Sequence, residues 1–348
     1  MRRTLGLAAI CLVSTVLFAG CSSTTNLNAP TPSPSPVVPN VSGEVVVPSA
    51  ASAPTTITRG SDGNLWFTER ALNKVAKVVI GSSVTITEPL QLSAASSPTS
   101  ITNGPDTNLW VAETGSDKIA KVSPSSGALL AEFALAPGAN PQQIISGPNG
   151  SLWFTEAGRG GTPNRIGAIT VAGVLSEFNI PTANAGLSSI AVGADGALWF
   201  TESTVSKIGR ITAGGAVTAE MPTQTPAAGP FQIALGPDGA MWFTESAVDR
   251  LGRVATSGAP TDIALPGTQS VTGFTIGNDN NFYIADPTAN SIAQVNTAAT
   301  LTVKEFKVPT AGAFSVATSF PGMFVVGYDG KIYFTESGPN KIGQFTYF

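Results

Sequence analysis

The sequence predicts an all-β fold, a seven-bladed β-propeller of four-stranded blades, and three observations carry that prediction. A strand of the form Leu-Trp-Phe-Thr-Glu recurs at 65–69, 109–113, 152–156, 198–202 and 241–245, with weaker copies at 282–286 and 332–336. The copies start 44, 43, 46, 43, 41 and 50 residues apart, a period that fits one propeller blade. The 348 residues include 37 Gly and 26 Pro, a density of turn residues that a two-helix repeat of similar period would not carry.

The chain opens with an address. Arg2 and Arg3 precede a mostly apolar run, 5–18, that is too short to span a bilayer. Residues 17–21, Leu-Phe-Ala-Gly-Cys, resemble a bacterial lipoprotein signal, with Phe18 where that pattern has Leu. The expectation is a signal peptide over 1–20 and a lipidated Cys21 that anchors an exported chain to the cell envelope. Ser22 after the cysteine implies the outer membrane in a Gram-negative source. Cys11 lies in the segment to be removed, so no internal disulfide forms. Residues 21–42, with Pro30, Pro32, Pro34, Pro36 and Pro39 among Ser, Thr and Asn, cannot bury a core and read as an extended stalk. At about 3.1 Å per residue it reaches roughly 60 Å.

Residues 43–348 form the predicted propeller. Each period divides into four strands. The first opens with Pro-x-x-Ile, as at 54–57, 98–101, 141–144 and 230–233. A tight turn follows, Asp62-Gly63, Asn149-Gly150, Asp195-Gly196 or Asp238-Gly239, a strong hairpin signal. The tryptophan strand is second. The third reads Lys-Ile-Gly-Arg, as at 207–210, and the fourth Glu-Phe-x-x-Pro, as at 177–181 and 305–309. The last period is longer because 313–320 is inserted. The fourth-strand type occurs at 44, 88, 132, 177, 220, 262 and 305, yet the chain stops after a third strand at 341–344. Strand 44–47 is therefore expected to complete the last blade and remove an open sheet edge.

Composition excludes several chemistries. The chain has no His, hence no imidazole base, Ser–His–Asp triad or His-ligated zinc. Two Cys cannot form a four-thiolate site. With 11% charged residues and a net charge of −4, it carries no nucleic-acid footprint. A monomer is expected.

The acids follow the repeat. Glu69, Glu113, Glu156, Glu202, Glu245, Asp286 and Glu336 end the second strands; seven more head the fourth strands, and six sit in the tight turns. Asp117 and Asp249 precede Lys118 and Arg250. An acid that recurs once per blade is first a scaffold residue; Glu69 with Lys74 and Glu202 with Lys207 are placed to pair across a hairpin. The five tryptophans share one column and read as packing between blades. In a propeller the start of the first strand and the end of the second share a face around the central channel. That face collects the residues between Pro and Ile, among them Thr56, Ser100, Gln143, Ser189, Gln232 and Thr272, beside the ring of strand-end acids. It is the expected binding face for a peptide, a glycan or a protein.

The combination of Pro-x-x-Ile, Gly-Pro-Asp-Gly, Leu-Trp-Phe-Thr-Glu, Asn-Lys-Ile-Gly-Arg and Glu-Phe-x-x-Pro over 44–348 resembles the streptogramin (virginiamycin B) lyase family. The resemblance implies a seven-bladed propeller, magnesium, and elimination at an ester of a cyclic depsipeptide antibiotic. It implies catalytic histidines after Pro in the Pro-x-x-Ile motif of the last two blades, assisted by a glutamate at the end of the last tryptophan-type strand. The matching residues here are Thr272 and Gly322, and neither abstracts a proton. Glu336, beside Ser337 and within one residue of the family's acid, is the surviving catalytic candidate. The favoured expectation is a lipid-anchored binding or scaffold module. A magnesium-dependent lyase with altered catalytic residues is the alternative; a calcium-type lactonase is weakened by the scarcity of Asn near the expected face.

Overall fold

Short segments of alternating burial, punctuated by Asp-Gly and Asn turns, fold as successive hairpins whose open edges each continue into a third and fourth strand. The computed structural model describes residues 39–297, 301–314 and 320–347. The expected signal peptide, Cys21, the stalk up to residue 38 and most of the 313–320 insertion lie outside the described residues. Those described form seven four-stranded antiparallel sheets. Blade 1 is typical: an inner strand Pro54–Arg59, then Leu65–Glu69, Lys74–Ile80 and an outer strand Val84–Gln91. Blades 2 to 6 repeat this order, although the inner strand shortens to Phe274–Ile276 in blade 6 and to Phe324–Val326 in blade 7. No helix among the described residues is long and apolar enough to cross a membrane.

Blade 7 closes as strand counting predicts. Its outer strand is Asn40–Val46, paired with Lys341–Thr346 so that Glu44 faces Gly343 and Val46 faces Lys341. The strand begins four residues before the expected one, and Val47 follows it into the core.

The second strand of each blade is buried along its length, apart from half-buried Ser151 at the start of that of blade 3, because both its faces meet neighbouring blades. Its aromatic residue sets the packing. Trp66 of blade 1 clusters with Ile101 and Leu109 of blade 2, Trp110 with Ile144 and Leu152 of blade 3, and so on round to Tyr333 of blade 7, which meets Ile57 and Leu65 of blade 1 together with Val47. The preceding turn fixes each ring. Trp66 Nε1 donates to Asp62 Oδ1 at 3.1 Å, and the Lys77 ammonium lies 5.2 Å over the indole. Gly60 is obligatory here, because a Cβ would lie 2.5 Å from Trp66 Cδ1. Blades 2, 4 and 5 repeat the bond to Asp106, Asp195 and Asp238. Tyr283 and Tyr333 use their hydroxyls on Asp279 and Asp329 instead.

Candidate functional site

The inner strands lie side by side around the axis, and their starts are latched blade to blade. Thr56 Oγ1 accepts the amide of Ile101, Ser100 Oγ that of Ile144 and Ser189 Oγ that of Ile233, each at 3.1 Å. Gln143 Oε1 accepts both the Ile190 amide and the Ser189 hydroxyl at 2.7 Å. Gln232 Oε1 accepts the amides of Phe274 at 3.0 Å and Gly322 at 3.2 Å, while its Nε2 donates to the Phe274 carbonyl at 2.8 Å. The Ile57 amide donates to the Gly322 carbonyl at 3.0 Å and completes the circle. Five of the six polar side chains named for this face are therefore brought together and buried, each engaged with a neighbouring blade.

Thr272 and Gly322 sit in the same weave. Thr272 is buried; its amide donates to Ala285 and its carbonyl accepts from Thr244 Oγ1 at 2.6 Å. Gly322 has φ +86°, a conformation that side-chain-bearing residues rarely adopt.

The seven strand-end acids are shielded completely from solvent. The six glutamates lie beside the cation of the third strand and the acid of the fourth in their own blades. The expected Glu69–Lys74 and Glu202–Lys207 pairs do not form: Lys74 Nζ lies 2.7 Å from Glu88 Oε2, and Lys207 Nζ donates to Thr182 Oγ1 at 2.9 Å. The physical reason is desolvation. Glu88 is buried less deeply, and hydrogen bonds from Lys74 and Ser49 outweigh that burial and hold it below the usual carboxylate range, whereas the sealed acid sheds its charge. Burial, reinforced by the adjacent fourth-strand carboxylate, pushes Glu69, Glu156 and Glu336 up to about 8 and Glu113, Glu202 and Glu245 up to about 7. Both carboxyl oxygens of Glu69, Glu156 and Glu202 are sealed from solvent without a hydrogen-bond partner. Asp286 differs, accepting the amides of Gln269 at 2.6 Å and Ala289 at 2.9 Å.

These residues do not fit magnesium. A hard cation takes several exposed oxygen ligands, but both Glu336 oxygens are sealed in blade 7 and lack a hydrogen-bond partner. No three acidic or thiol groups converge as a cation site among the described residues.

Where the inner strands end, at the other mouth, lies a cavity of about 710 Å³. It is lined by Thr58, Arg59, Thr102, Asn103, Thr275, Asn278, Phe324, Val325, Val326 and Tyr328, from blades 1, 2, 6 and 7. Arg59 donates through Nε to the Val326 carbonyl at 2.5 Å and through Nη2 to Gly327 at 3.1 Å, and its guanidinium lies 5.3 Å over the Tyr328 ring. Sequence reasoning missed this group. The available signal was Arg59 itself, the one charged residue that ends an inner strand.

Comparison with known proteins gives a consistent result. The model of the virginiamycin B lyase family matches residues 40–225 and 161–347. A streptogramin B lyase structure is similar at 30% identity over 87% of this chain and 96% of that one, with a TM-score of 0.77. The selenomethionine virginiamycin B lyase of Staphylococcus aureus is similar at 30% identity over 88% and 99%, TM-score 0.76. A catalytically inactive histidine-to-alanine variant of the lyase from that organism, with quinupristin, gives 30%, 88%, 99% and 0.76. Among curated proteins none matches.

Proposed function

The chain belongs to the virginiamycin B lyase family, and from that premise we propose that it is a binding or scaffold member of the family, without the elimination chemistry. The observation that carries this reading is Thr272 and Gly322 at the positions matching the family's histidines, in a chain with no His. An α-proton beside an ester carbonyl is weakly acidic and leaves only to a positioned base, which contributes about 10²–10⁴-fold. A buried threonine and a glycine supply none. Glu336 has the raised proton affinity of a base, but its carboxyl is sealed inside blade 7 and reaches no substrate. The solved variant that pairs catalytic inactivity with quinupristin is the precedent for a family propeller that has a ligand and no turnover.

In this reading the propeller is exported and held at the cell envelope by lipid on Cys21, with the stalk spacing it from the membrane. It works as a monomer and presents its channel to a peptide, glycan or protein. Family membership favours the alternative, a magnesium-dependent lyase with altered residues. Incubation with a streptogramin B depsipeptide and magnesium separates the two. Elimination gives a linear isomer of unchanged mass, so it is followed by chromatographic retention and fragmentation. The binding reading expects the cyclic compound to persist.

A further inference from the structure

We propose that the cavity where the inner strands end is a binding site for a hydroxylated carboxylate, an acidic sugar of the uronic acid type. The proposal rests on the binding reading above and places a ligand at the mouth opposite the one that matches the family's histidines. Its cation is Arg59. Nε and one Nη2 hydrogen are fixed on the carbonyls of Val326 and Gly327, and the ring of Tyr328 supports the plane. The guanidinium is thus held in one orientation with N–H groups to spare, and no carboxylate pairs with it among the described residues. The cavity lining contains no acid, although the chain as a whole is acidic. A single pre-oriented guanidinium suits a carboxylate, which it takes in bidentate fashion.

The rest of the lining specifies what surrounds that carboxylate. The hydroxyls of Thr58, Thr102 and Thr275, from blades 1, 2 and 6, make no hydrogen bond to other described residues. Those three hydroxyls are left to pair with the hydroxyls of a ligand. Tyr328 is 52% exposed and offers an aromatic surface beside these polar groups. Hydroxyls on three sides, one guanidinium and one exposed ring match a sugar acid. A peptide is disfavoured because the inner strands are flanked by other blades and offer no free edge to extend. The volume of about 710 Å³ is in the usual range for ligand pockets.

The test is calorimetric titration of the mature protein with D-galacturonate, with galactose and succinate as the neutral and the hydroxyl-poor controls. Galacturonate is expected to saturate one site, with each control at least about tenfold weaker. Arg59→Gln is expected to weaken galacturonate by about tenfold or more. Because Arg59 also braces two carbonyls, Thr102→Val is the second variant: its hydroxyl makes no hydrogen bond to other described residues, so the melting temperature should hold while affinity falls about fivefold. No saturation, equal binding of succinate, or affinity indifferent to both variants overturns the site. Depsipeptide turnover would end the binding-only reading and leave this titration unaffected, so the two failures are distinguishable.

Discussion

Replacing Glu69 by Gln should remove a pH dependence that the wild type carries. The Glu69 carboxyl is wholly buried and its proton affinity is raised by burial, then by Glu88, from 4.5 to about 8. The folded state therefore keeps a proton that the unfolded state releases above about 4.5. Stability from this group is fully present below that pH and is lost as pH rises through about 8. At about 1.4 kcal/mol per pH unit, the loss is on the order of 4 kcal/mol between pH 4.5 and 8.5. Glutamine preserves the shape and never ionises. Urea denaturation at the two pH values should show the wild type losing stability and Glu69→Gln losing less, by on the order of 4 kcal/mol. The acid limb should be common to both. Burial works against Glu88, but the hydrogen bonds from Lys74 and Ser49 outweigh it and lower its pKa, so its contribution disappears as pH falls below about 4.5. Identical alkaline slopes for the two proteins would refute the reasoning.

Chains that begin at residue 39 and at residue 48 should differ sharply. The second loses the outer strand of blade 7, the buried Val47 and the 2.7 Å Lys341–Glu44 pair. Its melting temperature should fall by roughly 10 °C or more, and equal melting temperatures would contradict the closure. Gln143→Ala leaves the Ile190 amide and the Ser189 hydroxyl without their acceptor and should cost about 1–3 kcal/mol in chemical denaturation; a neutral effect would mean that the ring of latches is not structural. Cys21→Ser should move the protein from the membrane fraction to the soluble fraction, and unchanged fractionation would sink the lipid anchor.

The blades were legible because each is specified by local sequence. An Asp four residues before the Trp, a Gly that the indole demands and a cation eleven residues after it all fall within three consecutive strands of one blade. Closure was legible by counting, since a strand type occurred once without its blade. The work of Thr56, Ser100 and Gln143 was not. Each bonds an amide 44 to 47 residues away on the next blade, and a polar residue at a channel reads the same whether it holds a ligand or a neighbour. The acids misled in another way. Register places Glu69 opposite Lys74, but burial decides which of two carboxyls keeps its charge, and burial was not visible from the spacing. The cavity around Arg59 depends on four blades meeting, with one irregular residue as its trace in the sequence.

The central claim is that this propeller kept the family's scaffold and not its base. Its most direct measurement is the initial rate at which a cyclic streptogramin B depsipeptide becomes its linear isomer, with magnesium present, beside a reagent blank and a family lyase that retains its histidines. The account predicts a rate equal to the blank from pH 6 to 9, while the histidine-bearing lyase consumes the substrate. A magnesium-dependent rate about a hundredfold above the blank or more, the scale of a positioned general base, would contradict it.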